Sequence, residues 1–201
     1  MKKNSILILS FFYIIVFFPY MLCAQVDVPF NVFYVYKDRK SELNHFYPTG
    51  WMGDTKTLKI KDDVIIEAKT MNTCIRIAYE PKKSINNSDW AGVYWQNPQN
   101  NWGKEEGSFD FTGAKKLTFL AKGMQGGEVV SKFQLGGISG EFPDSSTKAI
   151  YNVKLDSSWR QYCIKIEKED LSCISGGFCI ILTKRDNPEG MTFFIDEIKY
   201  E

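Results

Sequence analysis

Residues 90–103 read WAGVYWQNPQNNWG: three tryptophans and a tyrosine, interleaved with Gln96, Asn97, Gln99, Asn100 and Asn101, and no charge. Large aromatic faces beside neutral amides suit one kind of chemistry well. The apolar C–H face of a sugar ring stacks on an aromatic, and amides bond its hydroxyls. If WAGVYWQ is a strand, Trp90, Gly92, Tyr94 and Gln96 share one face, and Ala91, Val93 and Trp95 share the other. The second face is uniformly apolar and fits a core, which makes Trp95 structural. The first combines rings, an amide and a shallow spot at Gly92. Trp90, Tyr94 and Trp102 are therefore stacking candidates from this stretch, with Gln96, Asn97, Asn100 and Asn101 as hydroxyl readers and Arg76 as a further one. The alternative is that Trp90 and Tyr94 fill a second apolar layer beneath a loop.

A second aromatic stretch, HFYPTGWMGD (45–54), adds Trp51 to the stacking set. Pro48 and Gly50 predict a turn there, inside an irregular region spanning 37–56. Asp54 suits either the turn backbone or a ligand.

Catalytic chemistry has fewer footholds. The one histidine, His45, rules out multi-histidine zinc sites. Neither a GxSxG elbow nor a glycine-rich phosphate loop occurs. Glycoside hydrolysis needs only two carboxylates, roughly 5 to 9 Å apart. Glu105, Glu106, Glu141 and Asp144 could supply them, although loop carboxylates are usually just solvated.

These residues must be held by β structure. Alternating runs at 31–36, 73–79, 115–123, 128–135, 148–155, 160–167, 177–183 and 191–200 predict short strands, separated by turn residues. Only KEDLSCI (168–174) suits a helical turn. Many evenly spaced strands without helices predict an all-β fold, an antiparallel β-sandwich or jelly roll.

The N-terminus has the layout of a secretory signal: Lys2 and Lys3, an apolar run from Ile6 to Phe18, then Pro19 and Ala24. The run is short for a membrane span. Cleavage after Ala24 makes 1–24 the signal peptide and 25–201 a single β-sandwich domain of 177 residues, secreted, periplasmic or on the cell surface. A retained N-terminal anchor and lipidation of Cys23 are the alternatives, the latter disfavoured by Leu22 before it. Lys2 and Lys3 leave with the signal, so the 25 basic residues fall to 23 against 24 acidic. No basic block suggests a nucleic-acid partner. Cys74, Cys163, Cys173 and Cys179 remain, as two bridges or as free thiols.

SFDFTGAKKLTFLAKG (108–123), SSWRQYCIKI (157–166) and GMTFFIDEIKYE (190–201) resemble the galactose-binding-like jelly rolls found as carbohydrate-binding modules. HFYPTGWMGD and WAGVYWQNPQNNWG resemble a subgroup from secreted bacterial proteins, some beside glycoside hydrolase domains. The resemblance covers about residues 30 to 201. It implies a non-catalytic module that binds an oligo- or polysaccharide, with a glycoside hydrolase as a partner. It also implies a structural calcium distant from the sugar, held by an aspartate of the last strand and oxygens near the first. Asp196 matches the former, and Asp38, Ser41 and Asn44 offer the latter. Two other readings stay open: a structural or adhesive sandwich with a protein partner, and a small glycan-cleaving enzyme.

Overall fold

The computed structural model describes residues 30–65, 73–84 and 88–201. The expected signal peptide lies outside them. Eleven strands occur among the described residues: β1 (Phe33–Tyr36), β2 (Tyr47–Gly53), β3 (Leu58–Val64), β4 (Cys74–Tyr79), β5 (Trp90–Gln96), β6 (Lys116–Gly123), β7 (Val129–Gly136), β8 (Thr147–Lys154), β9 (Arg160–Lys165), β10 (Gly176–Thr183) and β11 (Met191–Tyr200). They form two antiparallel sheets. One runs β3-β4-β11-β6-β9, with β1 also on β11, and the other runs β2-β5-β10-β7-β8. The ten-residue β11 carries β4 beside Met191–Ile195 and β1 beside Ile198–Tyr200. Glu197, at φ 50°, marks the changeover.

The alternation read from sequence holds where one face is apolar. Ile75, Ile77 and Tyr79 of β4 point into the core, as do Leu117 and Phe119 of β6 and Ala91, Val93 and Trp95 of β5. Phe119, Phe133, Phe178 and Trp95 interlock between the sheets, with centroids 4.6 to 5.8 Å apart. Fully burying one such ring contributes roughly 1.5–3 kcal/mol.

Three expectations fail. The stretch 47–53 is not a turn but β2, an edge strand, where Pro48 costs no ladder bond on its open side. The second missed strand, β3 (LKIKDDV), carries too many charges to alternate cleanly. Residues 168–174 form no helix; the short 3₁₀ turns are at Thr55–Thr57 and Pro81–Lys83. Asp54 caps the first of these, accepting from the Lys56 N–H, and its other oxygen accepts from Ser84 Oγ at 2.7 Å. It is a buried structural residue.

All four cysteines of the domain are free thiols. His45 packs its ring 4.2 Å from Phe33. No helix among the described residues is long and apolar enough to cross a membrane.

Candidate functional site

The strand registers assemble a straight row across the outer face of the five-stranded sheet. Met52 is opposite Gly92, Gly92 opposite Ile181, Ile181 opposite Lys132, and Lys132 opposite Tyr151. One residue from each of five strands thus lies on a line perpendicular to the chain direction. Four strand spacings make that line about 19 Å long. A parallel row beside it runs Gly50, Tyr94, Cys179, Gln134, Ala149.

Small residues keep the floor low. Gly92 leaves no space for a side chain, since a Cβ there would come 2.7 Å from the Ile180 carbonyl oxygen and 3.2 Å from Met52 and Ile181. Rings rise around it. Trp90, opposite Thr183, is 37% exposed, and Tyr151 is 66% exposed. Beside Trp90 an open shelf is lined by Asp89, Ile181, Thr183 and Arg185. Asp186, next to Arg185, accepts from that guanidinium and from the Ser131 and Thr183 hydroxyls, which together lower its pKa to about 2. The row, termed the groove, is an open surface with an apolar floor at Gly92 and Ile181, a partly exposed ring at Trp90, an exposed ring at Tyr151 and Lys132 beside it.

The sequence missed Tyr151, and the reason is local. Strict alternation places Tyr151 with Val153 and Leu155, on the core side. Asn152 adopts φ 51°, which breaks the alternation of faces at that point while the pairing with β7 keeps its register. Ile150 and Val153 both pack on the core, and Tyr151 turns outward. Its only sequence signal was an asparagine, a residue that tolerates positive φ, amid a β run.

The amide-rich loop after β5 has a different job from the one expected. Gln96 is fully buried and donates from Nε2 to the Asn101 carbonyl at 2.8 Å. Asn101, also buried, accepts the Lys104 N–H and donates to the Glu105 carbonyl. Asn97 donates to the Gly107 carbonyl at 2.6 Å. These three amides brace the loop, because a buried backbone group without a partner costs about 1–3 kcal/mol. Asn100 remains exposed, tied by its backbone N–H to Thr49 Oγ1. Trp102 meets Tyr94 edge-on, centroids 6.0 Å apart. Tyr94 is consequently buried, its hydroxyl donating to the Gly136 carbonyl and accepting from Gln134. Burial drives its pKa up. Its ring is a wall support rather than a stacking surface.

Two other candidates lie elsewhere. Arg76, on β4, is on the outer face of the opposite sheet, between Lys61 and Phe194. Trp51 is opposite Val93, so it points to the inner side of β2, away from the groove.

The expected metal ligands do not converge. Asn44 accepts the Lys37 N–H and donates to the Asp38 carbonyl, and Asp38 accepts the Lys40 N–H. Both side chains are engaged in their own turn, and among the described residues no group of three or more His, Cys, Asp or Glu gathers to hold a metal. Asp196 alone fits. It is fully buried, one oxygen accepts the Glu197 N–H, and Oδ2 has no hydrogen-bond partner. Burial raises its pKa to about 7, with the charges of Glu197 and Asp38 adding to the rise.

Of the loop carboxylates, Glu105, Glu106 and Glu141 line one open cavity of about 460 Å³ and are exposed. Asp144 is engaged structurally by the N–H groups of Ile138 and Ser175 and by the Ser175 hydroxyl.

No family model and no curated protein matches the chain. Solved structures do. It is similar to the family 11 carbohydrate-binding module of a cellulosomal cellulase of Clostridium thermocellum, with 17% identity over 82% of this chain and 91% of that one, TM-score 0.54. A family 30 carbohydrate-binding module matches with 14% identity over 85% and 98%, TM-score 0.56. The family 30 module of another Clostridium thermocellum cellulosomal cellulase matches with 16% identity over 85% and 97%, TM-score 0.53. At such identities the likeness speaks to architecture alone: this chain has the two-sheet jelly-roll fold of carbohydrate-binding modules.

Proposed function

We propose that this chain is an exported, non-catalytic carbohydrate-binding module that lays a linear oligo- or polysaccharide across the row Met52–Gly92–Ile181–Lys132–Tyr151. One observation carries the reading: two half-open rings, Trp90 and Tyr151, stand at either side of a floor kept low by glycine. An exposed aromatic patch of this kind is costly to leave in water and marks a binding surface. The groove is open at both ends, so a chain can pass through. Lys132 and Thr183 supply hydroxyl-bonding groups, and Asn152 adds an exposed amide beside Tyr151. A family 11 module of this fold has been solved with a β-1,3-1,4-mixed-linked tetrasaccharide, which makes β-glucans the first ligands to try. The cellulosomal setting of the similar modules supports a glycoside hydrolase partner.

Calcium enters the same reading as a structural ion at Asp196. A cation there would satisfy the orphaned Oδ2 and hold the carboxylate ionised; Asp38 and Asn44 would have to leave their turn contacts to join it.

The experiment is a glycan array with residues 25–201, wild type beside Trp90→Ala and Tyr151→Ala. The expected result is binding to one class of linear glycan, weakened at least tenfold in each variant. Undiminished binding in both variants would move the site off this face. New reducing ends on incubation with polysaccharide would replace the non-catalytic reading with a hydrolytic one.

A further inference from the structure

Trp51 belongs to a second cavity, separate from the groove. It lies at the side of the sandwich where β2 and β3 are the outermost strands of their sheets. There the inner apolar layer runs out to solvent. Trp51 and Tyr47 are 39% and 45% exposed, Ile60 of β3 faces them, and the buried Trp95 lines the cavity. The space is about 340 Å³, at the low end of small-ligand sites, roughly 300–1,000 Å³. At the rim Arg39 Nε is 3.4 Å from Asp62 Oδ1, both side chains half exposed.

We infer that this cavity takes the terminal ring of a glycan chain, as a second site distinct from the groove. The inference rests on the groove being a sugar site. Three features support it. First, the lining is aromatic and accessible, which suits the C–H face of a pyranose. Second, the rim pairs a five-donor guanidinium with a carboxylate acceptor, so adjacent hydroxyls can accept from Arg39 and donate to Asp62. An exposed ion pair contributes only about 0–1 kcal/mol to stability, so it can exchange its partner for a ligand. Third, the core closes the back of the cavity at Trp95. A ring that enters cannot continue beyond it, whereas the groove is open at both ends.

The test is a titration followed by tryptophan indole resonances, which are five in the chain and can be assigned by Trp→Phe variants. The probes are the β-1,3-1,4-mixed-linked tetrasaccharide and the corresponding long polymer at equal sugar concentration. With the tetrasaccharide, the Trp51 and Trp90 signals both shift. With the polymer, whose ends are scarce, the Trp90 shift persists and the Trp51 shift falls at least tenfold. Arg39→Ala, a change at an exposed position, weakens the Trp51 response at least tenfold and leaves the Trp90 curve unchanged. In Trp90→Ala/Tyr151→Ala the Trp51 response survives. A Trp90 shift without a Trp51 shift would overturn the second site and leave the groove standing. Equal Trp51 shifts with polymer and tetrasaccharide would overturn recognition of chain ends. Silence of both signals across β-glucan and mannan oligosaccharides would count against groove and cavity together.

Discussion

The outer faces of the two sheets differ in character. On the six-stranded sheet the row Lys61–Arg76–Phe194–Lys122 also crosses several strands. There the aromatic is covered. Lys122 Nζ lies 5.2 Å from the Phe194 ring centroid and 6.0 Å from that of Trp159, and Phe194 is buried. Long cationic side chains lie along apolar surface and keep their charge in water. On the five-stranded sheet Trp90 has Gly92 and Thr183 beside it, too short to cover it, and Tyr151 stays 66% exposed although Lys132 is its cross-strand neighbour. Whether an outer-face aromatic stays open thus depends on how its neighbours lie, not only on its own identity.

The largest expected effect tests that contrast directly. Removing both groove rings in Trp90→Ala/Tyr151→Ala should reduce glycan affinity by about a hundredfold or more, since each stacked ring contributes roughly 1.5–2 kcal/mol. Melting temperature should barely change, because both rings are partly solvated. Isothermal titration beside a thermal melt would show it. A large loss of stability would mean that the rings are part of the packing.

Next comes acid–base behaviour near neutral pH, expected at Asp196 on the six-stranded side. The folded pKa of Asp196 is about 7, against an ordinary 3.8. Folded protein therefore holds an extra proton between about pH 4 and 7, and stability should fall as pH rises through that window. One pKa unit corresponds to about 1.4 kcal/mol, so the fall is up to a few kcal/mol. Urea melts in chelator at pH 5 and pH 8 should display it, and Asp196→Asn should flatten it. Glycan affinity over the same range should stay level. If calcium occupies the site, adding it at pH 8 restores the lost stability in the wild type alone.

A middle-sized effect concerns the loop beside the groove. Asn101→Ala strips partners from the Lys104 N–H and the Glu105 carbonyl, costing about 1–3 kcal/mol. The indole of Trp102 should then become more exposed, which its fluorescence would report. The smallest effect belongs to Arg76→Ala/Lys122→Ala. It should uncover Phe194 at a cost of about 1 kcal/mol without creating or weakening glycan binding. Weaker binding in that variant would bring Arg76 back as a ligand contact.

Where sequence and structure agree, a single physical rule was in control. The split of WAGVYWQ into a core side and an outer side followed from pleat alone. So did the inward faces of β4 and β6. Disagreement arose where two rules competed. Asn97 and Asn101 looked like ligand readers because composition does not show which backbone groups a tight loop leaves unpaired. Tyr151 was not singled out, because simple alternation would put it with Val153 and Leu155 and one left-handed residue, Asn152, interrupts that alternation. Trp51 was placed in a turn because Pro48 and Gly50 signal turns in general, and their compatibility with an edge strand depends on what lies beyond the edge. The candidate metal ligands Asp38 and Asn44 were near enough in sequence but committed to their own backbone.

The direction of the groove has a consequence for how the sheet would respond to an occupant. β2 and β8 each have one neighbour in this sheet and are the strands most prone to fray. A rod lying at right angles to the strands touches all five at once and acts as a crossbar. Amide hydrogen exchange should therefore slow most at the outer strands, far from the ring of Trp90, and least in central β10. A ligand aligned with the strands would protect one hairpin; this one would fasten the sheet from edge to edge.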